Sequence, residues 1–374
     1  MQGADCRRGW RERTLADGET MDLMPNAEQE AIAASVRAFL SDRMPIARVR
    51  ALCGEGQPDA AAVAEMDAFW REAAAMGFFG LSVAEADGGA GYDLTGEMIL
   101  FEELGRALAP GPWLGSVLAA GALALAGGAA EVVARRNAVL GGELRVALVE
   151  GSGQDCLVAD KHGFLEGEIT AVPDAPLANA FLVADARGVF LVDAHDPAVL
   201  VEPRPSLDVT RPIASVAFRG APALQLARDA SELRRRAVVL ACAEAVGSVQ
   251  RTVEMSVDYA RVREQFGRPI GSFQAVKHRC ADMAVQAEVA RAATIHAAIA
   301  VRDEAEGRDF HVAVAKALCG RAFIQTAADN VQNHGGIGFT WECDAHLFVK
   351  RSRGFEVALG SSRHHLDALG TFFA

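Results

Sequence analysis

Residues 258–283 read DYARVREQFGRPIGSFQAVKHRCADM. Two helical patterns meet in this stretch, at a short turn built on Gly267, Pro269 and Gly271. Glycine tolerates φ > 0, and proline fixes φ and lacks an N–H, so the two together break helices. Arg263 and Gln274 flank the turn, eleven residues apart. Working outward, an apolar periodicity runs over residues 231–263 upstream. Downstream, others run over 272–302 and 310–334, with a shorter stretch from Asp344. Four helical patterns with short connections predict a bundle.

Towards the N-terminus the texture changes twice. Between 145 and 223 lie six short β-rich runs: RVALVE, GFLEGEITAV, NAFLVAD, GVFLVDA, AVLVEP and IASVAF. Gly, Asp, Pro and Asn separate them, which predicts a small antiparallel barrel or sandwich. Before them, helical patterns return at 26–44, 61–76, 94–107 and 116–126. The first opens on Asn26-x-x-Gln29, a capping-box signal, and repeats Ile32, Val36, Phe39 and Leu40. A glycine-rich stretch, ADGGAGYD at 86–93, lacks G-x-G-x-x-G spacing, a following Lys-Ser/Thr and a preceding β-run. It reads as a plain flexible turn rather than a phosphate cradle. The predicted organisation is α+β. A disordered extension covers 1–21, with the natural start at Met21. An N-terminal helical domain covers 22–144, a middle antiparallel β-domain 145–228, and a C-terminal four-helix bundle 229–374.

Composition narrows the function. The chain has 374 residues, 51% hydrophobic, with a formal net charge of −12. That length suits two or three domains. The acidic balance argues against a nucleic-acid surface and against anionic membranes, although local arginines can still bind an anionic ligand. No apolar run reaches the ~18 residues of a membrane-spanning helix. Seven scattered cysteines with no CxxC pair fit reduced thiols in the cytoplasm better than a disulfide framework or a zinc site.

The α–β–α order, together with REQFGRPIGSFQAVKH (263–278) and VQNHGGIGFTWE (331–342), resembles the acyl-CoA dehydrogenase family. The likeness covers nearly the whole chain from about residue 22. It implies an FAD-linked oxidation of acyl-CoA thioesters to 2,3-enoyl-CoA, with electrons passing to an electron-transfer flavoprotein. It also assigns the opening stretch a task. At the family's ADP-gripping positions stand Arg263 and Gln274, with Phe266 and the turn after it closing the site. Ser272 is expected to cap the following helix. An arginine suits this work because its planar fork matches phosphate oxygens and stays charged. Gln332, Gly335 and Gly336 match a second contact, made to the FAD of a neighbouring subunit. Taken alone, Arg263 also reads as a helix-end ion pair, and Asn333-His334-Gly335 as an ordinary C-cap.

The sequence departs from the family where the chemistry occurs. One family base position falls on Leu359, or on Gly360 with a one-residue shift; the other falls on Ala237. None of these side chains accepts a proton. The expected flavin-ring contacts are reduced to Glu150 in VALVEGSG and to Ala171-Val172-Pro173. Proline offers neither hydroxyl nor N–H there. Glu244 stands two turns beyond Ala237 in an apolar run, and burial would raise its pKa towards that of a useful base. Two turns is about 10 Å, however, so a buried structural glutamate is the preferred reading. Glu356 is expected to point away from Leu359. Two functions remain open. One is an active homo-oligomeric dehydrogenase with an unusual base. The other is an FAD-clamping subunit of a hetero-oligomer whose partner carries the catalytic glutamate.

Overall fold

A computed structural model describes residues 26–52, 60–150, 157–159 and 163–372. The extension expected at 1–21 and the start at Met21 lie outside these residues. The chain opens with helices α1 (Ala27–Arg43), α2 (Ile46–Leu52), α3 (Ala60–Ala75), α4 (Leu94–Ala107), α5 (Trp113–Leu125) and α6 (Ala130–Leu140). The α1 capping box forms as its sequence implies. Asn26 Oδ1 accepts from Gln29 N at 2.8 Å, and Gln29 Oε1 accepts from Asn26 N at 3.0 Å. The glycine-rich stretch before α4 is a turn, as read, but a tightly folded one. Its Gly89, Ala90, Gly91 and Tyr92 N–H groups bond the Ala84, Gly80, Val83 and Leu81 carbonyls, at 2.8–3.1 Å. They are therefore spent on the fold rather than held out to a phosphate. A Cβ on Gly89 would meet Val83 O at 2.1 Å.

Strands β1 (Val146–Glu150), β2 (Val158–Ala159), β3 (Phe164–Pro173), β4 (Ala180–Asp185), β5 (Gly188–Asp193), β6 (Val199–Arg204), β7 (Ile213–Pro222) and β8 (Leu224–Ala227) form two four-stranded sheets. Their orders are β1-β4-β5-β8 and β2-β3-β7-β6. The strands were expected to be antiparallel throughout, but β1 and β4 pair parallel, with Val146 opposite Ala180. The reason is topological: the chain leaves β1, builds β2 and β3 in the other sheet, and re-enters beside β1 in the same direction. The first sheet is covered on both faces. Phe181 and Val183 join the core between the sheets, while Ala180, Leu182 and Ala184 join the helical core. That double burial explains the continuous apolar runs AFLVA and VFLV.

The second helical part holds α7 (Ser231–Val262), the two-residue strands β9 (Glu264–Gln265) and β10 (Arg268–Pro269), then α8 (Gln274–Arg302), α9 (Arg308–His334), α10 (Ala345–Val357) and α11 (Ser362–Gly370). Helix α7 is locked to α4 by two glycines. A Cβ on Gly105 would lie 1.8 Å from Glu244 O, and one on Gly247 would lie 1.7 Å from Glu102 O. The Ser248 hydroxyl donates to Gly105 O at 2.9 Å across the same contact. This close approach fixes the register of α7, and with it the position of Glu244. Among the described residues, no helix is long and apolar enough to cross a membrane.

Candidate functional site

The two sequence motifs meet at one end of the bundle. Helix α7 ends at Arg263, whose N–H bonds Tyr259 O. The chain then turns through a tight hairpin in which Gln265 pairs with Arg268. Its two loop residues, Phe266 and Gly267, both have positive φ (+54° and +76°), as a two-residue primed turn requires. A phenylalanine there is uncommon, and the residue is 92% exposed. Gln274 is the first residue of α8, and its side chain is exposed. Ser272 does not cap α8 as expected. It sits in a 3-10 turn, and its hydroxyl donates to Pro269 O at 2.7 Å, so the helix starts without a side-chain cap.

The second motif closes on the first through the Tyr259 and His334 rings, stacked at 4.3 Å. Arg279 of α8 adds a 3.1 Å bond to Asn333 Oδ1. Gln332, Gly335 and Gly336 are exposed at this end. Gly335 has φ +67°, and a Cβ on either glycine would meet nothing within 4 Å, leaving the backbone open to a ligand. Arg263, Phe266, Gln274, Gln332, Gly335 and Gly336 are all exposed. Exposed Val262, Phe339 and Trp341 are near them in sequence.

The other candidate positions surround a cavity of about 520 Å³ between the sheets and the bundle. Leu359, Gly360, Ala171, Pro173, Glu150 and Glu244 all line it. Ala237 does not: it is buried at 1% exposure, and Ala241 lines the wall in its place. Leu359 sits at φ +55° just beyond α10, in a segment held from below. The buried Lys316 ammonium donates to Phe355 O at 3.0 Å and to Gly360 O at 2.9 Å, and burial pushes its pKa down. Glu356 points away, as expected; its carboxylate accepts from Ser362 N at 3.0 Å and Ser362 Oγ at 2.6 Å. Burial pushes the Glu150 carboxyl up, opposed by Arg234 at 3.3 Å.

Glu244 is the structural group the sequence favoured. Its Oε1 accepts from Arg211 Nη2 at 2.8 Å and from Arg351 Nη1 at 2.5 Å. Arg351 also bonds Asp208 Oδ2 through Nε at 2.5 Å and Thr210 Oγ1 through Nη2 at 2.6 Å. A carboxylate oxygen held by two guanidinium groups is engaged as an ion-pair acceptor, a poor arrangement for abstracting a proton.

The same cluster contains a residue that the sequence reading missed. Asp174 follows Pro173 directly, sits at φ +58° and is 6% exposed. Burial pushes its carboxyl up to about 7, against the pull of Arg211 and Arg351. Its Oδ2 lies 3.3 Å from Arg211 Nε, and its Oδ1 has no hydrogen-bond partner. The only sequence signal was an Asp inside PDAP, which reads as a turn.

Comparison with known proteins places the fold in a family. Family models for the acyl-CoA dehydrogenase N-terminal and C-terminal domains match residues 26–132 and 232–372. The acyl-CoA dehydrogenase IpdE2 of Mycolicibacterium smegmatis is 34% identical over 79% of this chain and 84% of its own. The acyl-CoA dehydrogenase FadE34 of Mycobacterium tuberculosis is 37% identical over 77% of this chain, which spans only 40% of that protein's length. Among solved structures, the ChsE4–ChsE5 complex from Mycobacterium tuberculosis is similar at TM-score 0.82 and 28% identity, over 94% of this chain and 99% of that one. A single-residue variant of the Tcur3481–Tcur3483 steroid acyl-CoA dehydrogenase gives TM-score 0.82 and 28% identity, over 92% and 97%.

Proposed function

Because the chain belongs to the acyl-CoA dehydrogenase family, we propose that it acts in the FAD-dependent α,β-dehydrogenation of an acyl-CoA thioester. In this reading it is the FAD-clamping subunit of a hetero-oligomer. A partner subunit carries the catalytic glutamate, and an electron-transfer flavoprotein takes the electrons. The reading rests on one contrast: the ADP-gripping residues are present and exposed, while Leu359 and Ala237 leave both base positions without an acid. The relatives solved as the ChsE4–ChsE5 and Tcur3481–Tcur3483 pairs add support.

The residues fit one half of the cofactor and not the other. At the bundle end, Arg263 would meet the pyrophosphate, Gln274 and Gln332 the adenosine side, and Gly335 and Gly336 would let it approach the backbone. Phe266 would cover the adenosine side from its hairpin. In the cavity, Pro173 presents no donor to a flavin ring. Bound FAD supplies the hydride acceptor for this chemistry. The chain's own contribution is to bind and orient it for a site completed by the partner.

The test is to purify the chain alone and record its visible spectrum and its turnover of acyl-CoA. The expected result is a protein with little flavin colour whose acyl-CoA turnover, even with FAD added, is lower by ~10²–10⁴-fold than that of the assembled enzyme, since a positioned base is missing. A yellow homo-oligomer bleached by acyl-CoA would favour the active enzyme instead. Activity abolished by Glu244→Gln would then make Glu244 its base.

A further inference from the structure

The segment between β6 and β7, residues 205–212, crosses the rim of the cavity, where Ser206, Leu207, Asp208 and Arg211 help to line it. Pro205 and Pro212 bracket it, so neither end has a backbone N–H to donate. The segment holds itself together. Ser206 Oγ lies 2.9 Å from Asp208 O and 3.0 Å from Arg211 O, and Asp208 Oδ1 accepts from Thr210 N at 3.0 Å and Thr210 Oγ1 at 2.6 Å. Leu207 at its tip is 64% exposed, and Val209 packs against the helical core. Its polar contact with the bundle runs through charged groups: Arg351 of α10 reaches Asp208 and Thr210, and Arg211 reaches Glu244 of α7. Asp174 N donates to Pro212 O at 2.7 Å, which ties the end of the segment to that acid. A loop bonded within itself and pinned through charges can leave its seat as a unit.

The seat holds one acid too many. Among the described residues, the charged groups acting on Asp174 are Arg211 and Asp208 from the loop, Glu244 from α7 and Arg351 from α10. Strand β6, beside the turn after Asp174, brings Glu202 and Arg204, paired with each other at 3.4 Å, and Arg219 of β7 lies opposite Glu166 at that strand's far end. Three buried carboxyls therefore share two guanidinium groups, and the cluster is neutral when one carboxyl holds a proton. Asp174 Oδ1 and Arg211 Nε make no hydrogen bond there and are closed to water. An ionised carboxylate kept in that state costs free energy that water would return. We propose that residues 205–212 form a pH-controlled strap over the cavity, seated while Asp174 is protonated and released from α7 and α10 when it ionises. Release hydrates Asp174 and Arg211 and opens the part of the cavity wall that the strap supplies. The seated form raises the Asp174 carboxyl to about 7, while the released form returns it to the ordinary carboxylate range. Seating is therefore favoured at low pH, weakens as pH rises towards about 7 and levels off above it.

The test is amide hydrogen exchange of the purified full-length protein, read by mass spectrometry from pH 5 to pH 9 and divided by the rates of unstructured peptides of the same sequence. Protection across residues 206–211 is expected to fall about tenfold between pH 6 and pH 8 and to level off above, as a group near 7 requires. The α4–α7 seam around Gly105 and Gly247 carries none of these charges and should keep its protection over the same range. Asp174→Asn cannot ionise, so at pH 8 its strap should be as protected as the wild-type strap is at pH 6. Three results would each overturn the proposal: strap protection that is the same at pH 6 and pH 8, an equal fall in the α4–α7 seam, or a wild-type pH dependence in Asp174→Asn. None of these groups is a bundle-end residue, so the outcome is read independently of whether the chain clamps FAD.

Discussion

The bundle end and the cavity wall treat their charges in opposite ways. At the bundle end, Arg263 and Gln274 stand in solvent on a backbone whose own bonds are made, and nothing packs against Gly335 or Gly336. At the cavity wall, Arg351 is 2% exposed and locks Asp208, Thr210 and Glu244 together. Exposed polar groups lose little free energy if they change, so those at the open end are free to serve a ligand or partner. Buried charges hold the fold, so their presence at the wall speaks first for structure. The acid that looked most like a base is therefore bound up in ion pairs, and the residues with the least structural work form the candidate binding surface.

This contrast predicts unequal responses to mutation. The largest effect is expected for Arg351→Met, which keeps volume but strips Asp208 of its guanidinium partner and leaves Glu244 with Arg211 alone. Breaking a buried ion-pair network from one side costs on the order of 3–5 kcal/mol, to be read as a lower urea midpoint. A midpoint close to wild type would mean that water already screens the cluster.

A smaller, pH-dependent effect belongs to Asp174. Its folded-state pKa is raised to about 7 by burial, so between the ordinary carboxylate range and about 7 the folded protein binds more protons than the unfolded chain. Stability from this group is then present at low pH and lost as pH rises through about 7. Asp174→Asn removes that loss, and asparagine tolerates φ +58° as well as aspartate does. The variant should be more stable than wild type at pH 8, with the advantage shrinking towards pH 5. A thermal melt series over that range checks it. An advantage that does not change with pH would place the titration elsewhere.

The smallest effect on stability is expected at the open end. Arg263→Ala should change the unfolding free energy by no more than ~0.5 kcal/mol, as an exposed site does. The same change should sharply weaken FAD retention in the native assembly after dialysis, because phosphate charge is left under-compensated. Unchanged occupancy would remove Arg263 from the cofactor site.

The difference between the two regions also governed what the sequence could reveal. The six β-runs and the long helices carry strong periodicity, and each formed close to where it was read. Helices α2 and α6 and strands β2 and β8 are too short or too charged to carry that signal, and α11 lies in a polar segment after the last apolar pattern. The bundle-end motifs were legible because their residues are near neighbours in sequence. The cluster was not, because Arg351 lies 143 residues from Asp208 and 107 from Glu244. In sequence, Arg351 sits in a charged run that reads as a solvated face, and only folding turns it inward.

The account's central claim is that this chain clamps a cofactor whose ring sits in another subunit. Co-expression with a neighbouring dehydrogenase gene, followed by intact-mass measurement of the native complex, tests it most directly. The account predicts a heterotetramer holding about two FAD per four chains, because only sites pairing this chain's open end with a partner's ring pocket are complete. Four FAD bound to four copies of this chain alone would contradict it.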